Sequence, residues 1–457
     1  MSTINIVVEG YGCSANQNDL ELLVGALEKA GCNVIIGDAT KQADIAIINT
    51  CIVKGPTVKR MERRIADILK VNQKLIVAGC MSLFADRIRQ IKQKIEQAHG
   101  KRYVSIINTN SALLNIKQII SKLLEGKETV ENETGSLAPK LMVPKRRLNK
   151  IIGISQIGIG CASNCSFCVT KLVKGQIRSY PIELIVKNVC QDLREGCKEI
   201  WLTATDLSCY GLDKGKLALP DLLKELFKLK GRFWIRLGMM NPTYLKQFSD
   251  ELFDCYNDEK LFKFLHIPLQ SGSNEVLAEM ARGYSVDDWL ELVLEFRKRF
   301  PNGVIATDII TGFYNETEQA FNETLEVIKK ARPDVLHISR FWPMPGTQAY
   351  KKIQKLSKEQ LKELFENAKS RSKLLHTLHR KIALERNSAF IGKELEVLIE
   401  QKGYPGSYLA RDQNYRLVAI KTDTTKTDTT DTTDTNFRPG NFYKLKIKAA
   451  CSNFLIA

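Results

Sequence analysis

Gly160-Cys161-Ala162-Ser163-Asn164-Cys165-Ser166-Phe167-Cys168 sets three thiols in C-x3-C-x2-C spacing, directly after a run (155–160) that reads as a β-strand. Three thiolates so close in sequence suit three irons of a cubane 4Fe–4S cluster and leave its fourth iron without a protein ligand. A zinc site is the alternative. Zinc frameworks usually pair C-x2-C units and close with four ligands, a pattern this stretch lacks.

Working outward, five further strand candidates follow at 199–205, 233–238, 263–269, 304–310 and 335–340, separated by helical periodicity. Six βα units predict a curved parallel sheet, a partial (βα)6 barrel over 151–386, with its chemistry at the carboxyl ends of the strands. Upstream, short β-branched runs (4–9, 32–37, 43–49, 74–78, 103–108) alternate with helical patterns, one opening at Pro56. Residues 1–125 therefore read as a doubly wound α/β domain. Residues 126–150, with two prolines and the basic Pro144-Lys145-Arg146-Arg147, read as a linker. A long basic helix (357–386) leads into strand signals near 394–402, 407–421 and 441–457, a small β-barrel spanning 387–457. The Thr/Asp tract at 422–435 has nothing apolar to bury and reads as a disordered insertion. The expected class is thus α/β throughout the first two domains, with a β-barrel last.

The 457 residues carry a net charge of +17, which favours a polyanionic partner through counterion release. No apolar run reaches the ~18–20 residues of a membrane span, and the amino terminus enters a strand without a signal-peptide pattern, so a cytoplasmic location is expected. Twelve cysteines in such a compartment stay reduced, and clusters among them point to metal or catalysis. Three stand in Tyr11-Gly12-Cys13-Ser14, Asn49-Thr50-Cys51 and Ala78-Gly79-Cys80-Met81, each just past a predicted parallel strand, where loops from distant positions converge. Cys32, Cys190, Cys197, Cys209, Cys255 and Cys451 read as packing residues.

The C-x3-C-x2-C motif resembles that of the radical S-adenosylmethionine superfamily, and the Cys13, Cys51 and Cys80 contexts narrow the resemblance to the methylthiotransferases. The resemblance implies that Cys161, Cys165 and Cys168 hold a 4Fe–4S cluster whose open iron is chelated by S-adenosylmethionine, with one-electron reduction giving a 5′-deoxyadenosyl radical. It implies that Cys13, Cys51 and Cys80 hold a second 4Fe–4S cluster that takes part in supplying sulfur. It continues through His266-Ile267-Pro268-Leu269-Gln270, Met280-Ala281-Arg282-Gly283-Tyr284, Thr307-Asp308-Ile309-Ile310-Thr311-Gly312-Phe313 and Pro345-Gly346-Thr347. From these segments and from Leu202-Thr203-Ala204-Thr205-Asp206 it implies cofactor contacts at His266, Gln270 and Asp206. The chain departs from the family by placing Thr205 where relatives carry an acidic residue or Gln, and Phe313-Tyr314-Asn315 where they carry Phe-Pro-Gly.

The last segment looks like the TRAM domain that these enzymes use to hold RNA. Arg411, Arg416 and Arg438 there, with Arg371, Lys373, Arg380 and Lys381 on the preceding helix, are the expected RNA contacts, joining phosphate attraction to base stacking. Cys161 through Lys171, with Lys174-Gly175 and Arg178-Ser179-Tyr180-Pro181, is most similar to the archaeal and eukaryotic branch acting on threonylcarbamoyladenosine in tRNA. The implied partners are the tRNA anticodon stem–loop, an electron donor and a sulfur donor. Two rivals stand beside this: a methylthiotransferase for isopentenyladenosine in tRNA or for an aspartate of a ribosomal protein, and a zinc-stabilised RNA-binding protein without chemistry.

Overall fold

The structure, a computed structural model, describes residues 3–53, 55–131, 139–421 and 437–457; the Thr/Asp tract lies outside the described residues. The amino-terminal sheet contains β1 (Asn5–Gly10), β2 (Asn33–Ile36), β3 (Ile45–Thr50), β4 (Lys74–Gly79), β5 (Tyr103–Ile107) and β6 (Val130–Glu131). All pair in parallel, in the order β2-β1-β3-β4-β5-β6. Helices α1 (Ser14–Lys29), α2 (Gly55–Val71), α3 (Ala85–His99) and α4 (Thr109–Leu124) connect them. With helices on both faces, strands such as β3 are buried along their whole length, which explains their unbroken apolar runs. The winding direction reverses between β1 and β3, so a crevice opens past their carboxyl ends.

The central domain holds six parallel strands in chain order. In the first half, β10 (Glu199–Thr203) lies between β7 (Ile152–Gln156) and β11 (Trp234–Leu237). In the second, β13 (Val304–Thr311) lies between β12 (Phe264–His266) and β14 (Val335–Arg340). A single parallel bridge, Ile235 to Leu261, joins the halves. The first barrel strand begins earlier than expected from 155–160. Residues beyond it form β8 (Gly158–Ile159), which turns away to pair antiparallel with β9 (Arg178–Ser179). That ribbon frames the C-x3-C-x2-C loop. Cys161 N donates to Gly175 O at 3.2 Å, and a Cβ on Gly160 would lie 1.9 Å from Gln176 O, so only glycine permits this closure.

The last domain is a curled six-stranded sheet: β15 (Glu394–Lys402), β16 (Ser407–Asp412), β17 (Leu417–Lys421), β18 (Phe442–Lys446), β19 (Ala449–Ala450) and β20 (Leu455–Ile456). The expected strand 407–421 is a hairpin, because Asp412 to Arg416 turns the chain. This domain packs on the amino-terminal ends of the barrel strands, opposite the cysteines. Lys263 N donates to Gln413 O at 3.0 Å, Trp234 meets Phe442 edge-on at 4.9 Å, and Arg416 reaches Asn302 O at 2.7 Å. Burial works to raise the Asp334 carboxyl, but Arg297, Arg416 and Arg386 outweigh it and hold it below its ordinary value.

At the same boundary Glu199 faces Glu400. Burial, then the neighbouring carboxylate, pushes Glu199 well above the ordinary carboxyl range, while Trp201 Nε1 donates to it. Above the ordinary range the folded chain keeps a proton that the unfolded chain releases, so this pair costs stability as pH rises. A Glu199→Gln protein is expected to melt higher than wild type at pH 8, with the gap closing toward pH 5. Parallel melting curves across that range would contradict the raised Glu199 carboxyl.

Candidate functional site

The amino-terminal cysteines occupy the crevice that the sheet topology predicts. Cys13 precedes the first residue of α1, Cys51 follows β3, and Cys80 follows β4. The strand ends are level, since Gly10 pairs with Asn49 and Asn49 with Ala78. Asn16 ties the loops together: its Nδ2 donates to Tyr11 O (3.0 Å) and Thr50 O (2.8 Å), and its Oδ1 lies 3.8 Å from Cys80 Sγ. Thr50 Oγ1 donates to Ala78 O (2.6 Å) and accepts from Met81 N (2.9 Å). Gly12 has φ +124° and Gly79 φ +85°, and a Cβ on either would strike the amides of Asn16 and Asn49. Burial pushes the Cys80 thiol up to about 11 and raises Cys51, and the three thiols act electrostatically on one another.

The second triad sits at the carboxyl end of the barrel. Burial, then the Asp206 carboxylate, pushes Cys161 up to about 11; burial raises Cys165, and Arg282 opposes it. Arg282 Nη1 donates to Cys165 Sγ at 3.0 Å and its Nε to Tyr284 Oη at 3.1 Å. Asp206 receives Ser208 N, Ser208 Oγ and Asn241 N, all on Oδ1, at 3.0, 2.6 and 3.1 Å. Asp206 Oδ2 and Arg282 Nη2 are both buried without a partner. One vacant acceptor and one vacant donor beside three thiols match an amino acid zwitterion, whose ammonium and carboxylate would fill them. S-adenosylmethionine ends in such a group.

His266 Nε2 lies 2.7 Å from Asp308 Oδ2 on the neighbouring strand. Gln270 carries φ +73°, uncommon for a residue with a side chain, and bridges to Ile309 through Gln270 N to Asp308 O and Ile310 N to Gln270 O. Among the described residues no three His, Cys, Asp or Glu side chains stand close enough to share one metal ion.

The two triads are neighbours across the domain boundary. Helix α5 (Thr170–Lys174) starts two residues after Cys168, and its Val169 and Val173 flank join the amino-terminal core beside Cys80 and Met81. Ser14, next to Cys13, shares a hydrogen bond with Thr203 at the end of β10 (2.8 Å). Lys174 reaches Asp19 of α1 (3.3 Å), which also holds Lys140 (2.5 Å). The basic run expected to be a plain linker is a fastening: Lys145 and Arg147 both pair with Asp192 at 2.6 Å. Asp19, Lys140 and Arg282 lie beside the two triads without being expected there. Arg282 had a signal in its Met-Ala-Arg-Gly-Tyr segment; the other two had none.

The expected RNA contacts divide. Lys373, Arg380 and Lys381 are exposed on the long helix Lys358–Ser388, as is Arg438 near β18. Arg371 and Arg416 are corrections. Arg371 is buried and bonded to Glu316 (2.9 Å), and Arg416 is buried against Asp334 and Asp412, so neither guanidinium faces solvent. Arg411 is partly buried, pairs with Glu400 (3.2 Å) and stacks on Tyr415.

Residues 155–328 match the Radical SAM superfamily, residues 5–100 Uncharacterized protein family UPF0004, and residues 388–457 the TRAM domain. Among solved structures the fold is similar to TsrM, a radical S-adenosylmethionine methyltransferase from Kitasatospora setae with cobalamin and a 4Fe–4S cluster bound (TM-score 0.55, 14% identity, 77% of this chain and 78% of that one). It is also similar to OxsB, a cobalamin-dependent S-adenosylmethionine radical enzyme (TM-score 0.51, 13% identity, 80% of this chain and 56% of that one). The superfamily match over 155–328 gives the class, a radical S-adenosylmethionine protein. The chain is 34% identical over 455 residues to a probable threonylcarbamoyladenosine tRNA methylthiotransferase of Pyrococcus horikoshii, covering 99% of both. It is 32% identical to the Xenopus laevis threonylcarbamoyladenosine tRNA methylthiotransferase, over 92% of this chain and 73% of that one. This chain belongs to the threonylcarbamoyladenosine tRNA methylthiotransferase family.

Proposed function

We infer that the chain is a tRNA methylthiotransferase that places a methylthio group on carbon 2 of threonylcarbamoyladenosine beside the anticodon. The observation that carries this is the pair of three-cysteine sites brought together at the carboxyl ends of two packed parallel sheets. One reading accounts for both: Cys161, Cys165 and Cys168 hold one 4Fe–4S cluster, and Cys13, Cys51 and Cys80 a second. When bound, these clusters and S-adenosylmethionine supply one-electron cleavage of a sulfur–carbon bond, a methyl group and the sulfur to be transferred.

The protein's own part is positioning. Asp206 and Arg282 present the acceptor and donor that seat the methionine end of S-adenosylmethionine, and His266, fixed by Asp308, and Gln270, held in its left-handed conformation, shape the pocket beside them. The domain scheme is residues 1–125 for the second cluster, 126–150 as the fastened connection, 151–386 for the radical core and 387–457 for RNA. The exposed Lys373, Arg380, Lys381 and Arg438 contact the phosphates of the anticodon stem–loop, whose target base must be unstacked to expose carbon 2. An electron donor and a sulfur donor complete the partners. A tRNA substrate fits work in the cytoplasm; no described helix is long and apolar enough to cross a membrane.

Nucleoside mass spectrometry tests the reading. A host whose tRNA carries threonylcarbamoyladenosine but not its methylthio form is expected to gain that form when this chain is expressed. Its absence, with iron-loaded protein confirmed, would count against this substrate; methylthiolated isopentenyladenosine or ribosomal aspartate would identify the rival target.

A further inference from the structure

Asp19 of α1 is fully buried and lies between two ammonium groups from far along the chain. Lys140, 121 residues away, donates to Oδ1, and Lys174, 155 residues away, reaches Oδ2. The side chains of Lys140, Asp19 and Lys174 are 3%, 1% and 10% exposed. Two cations and one anion leave a positive charge in excess at a place largely withdrawn from water. A buried charge is tolerated when an opposite one meets it. Val173, the chain neighbour of Lys174, packs in one apolar cluster with Cys80, and Cys13 caps the helix that carries Asp19, so the ammonium lies within electrostatic reach of the amino-terminal thiols. The group is rigid: α5 is anchored at one end by the Cys161 N to Gly175 O bond and along its length by Val169 and Val173 in the amino-terminal core.

We propose that Lys174 is a positioning residue of the second cysteine site: supplied by the radical domain and oriented by Asp19, its ammonium offsets the negative charge of the thiolates and of the cluster they hold. Lys140 sets the balance by neutralising Asp19, so that the Lys174 charge is left for the site. The proposal rests on the assignment of a second cluster to Cys13, Cys51 and Cys80.

A positive charge near a cluster favours its reduced, more negative state, so removing it lowers the midpoint potential and removing its counter-ion raises it. The experiment is an anaerobic redox titration followed by electron paramagnetic resonance on reconstituted full-length enzyme, with iron and sulfide counted. Lys174→Met is expected to shift the second cluster's potential negative, Asp19→Asn to shift it positive, and Lys174→Arg to keep the wild-type value. Opposite signs identify charge, since a merely structural disturbance would move both variants alike. Unmoved potentials in the Met and Asn variants, or a shift of the same sign in both, would overturn the proposal. If Lys174→Met holds no second cluster, Lys174→Arg decides: restored loading supports the charge role, and equal loss overturns it. A wild-type protein that holds one cluster only defeats the second-cluster assignment itself rather than the role of Lys174.

Discussion

A Cys165→Ala protein is expected to lose reductive cleavage of S-adenosylmethionine to background and to hold about half the iron of wild type, the two clusters being alike in size. Cys165 is the middle cysteine of the loop, and its sulfur takes a hydrogen bond from the buried Arg282. Removing it strips one of three thiolates from the cubane and deprives Arg282 of an acceptor, while Nη2 is already unpaired. The alternative explanation, general unfolding, is separable. A partly exposed cysteine truncated to alanine costs about 1 kcal/mol on typical experience, so the melting temperature should fall by only a few degrees. Anaerobic cleavage assays beside iron analysis and a melting curve would settle it; cleavage at the wild-type rate would remove Cys165 from the cluster.

Cys51→Ala is expected to have a different signature. Cleavage of S-adenosylmethionine should continue within a few-fold of wild type, while formation of the methylthio nucleoside falls below detection. Cys51 lies at the end of β3 in the other sheet, and the radical site keeps its three thiols, Asp206 and Arg282 when Cys51 is lost. The dissociation of the two activities is the content of this prediction. Both assays, run on one anaerobic preparation with tRNA bearing threonylcarbamoyladenosine, report it directly. Methylthio product from the alanine enzyme would deny Cys51 any part in sulfur transfer.

The parts of this arrangement that were legible in the sequence are those set by local chemistry. Cys161, Cys165 and Cys168 announce themselves because all three fall in one loop. Cys13, Cys51 and Cys80 are legible because each follows a strand whose β-branched run is unmistakable, and parallel strands bring their carboxyl ends to one edge. The beginning of the barrel was less legible: 155–160 contains both the end of β7 and the diverging β8, and apolar content alone does not mark where the chain turns from one to the other.

Charge was the least legible property, since a basic side chain reads the same whether it faces water or a carboxylate. Arg371 carried a signal that could have corrected it. It shares the helix face of Ala368, Leu375, His379 and Ile382, all buried at three- and four-residue intervals, and so points into the protein toward Glu316. For Arg416 the local sequence offers only Asp412, four residues earlier, because Asp334 and Asn302 come from another domain. The same holds for Asp19, Lys140 and Lys174, whose meeting depends on how two domains dock.

The amino-terminal core is also a matter of timing. Its apolar cluster around Cys80, Met81 and the inner face of α2 is completed by Val169, Val173 and Met344, and Asp19 is neutralised by Lys140 and Lys174. Domains form as the chain leaves the ribosome, amino terminus first. The first hundred residues therefore emerge with four cysteines, the Asp19 carboxylate uncompensated and a gap in the hydrophobic packing, and they wait for more than two hundred further residues before Met344 closes that gap. The sheet that carries Cys13, Cys51 and Cys80 is made first and finished late, which sets the order of biogenesis: its cysteines acquire their permanent surroundings only after the central domain has been synthesised and has folded against them.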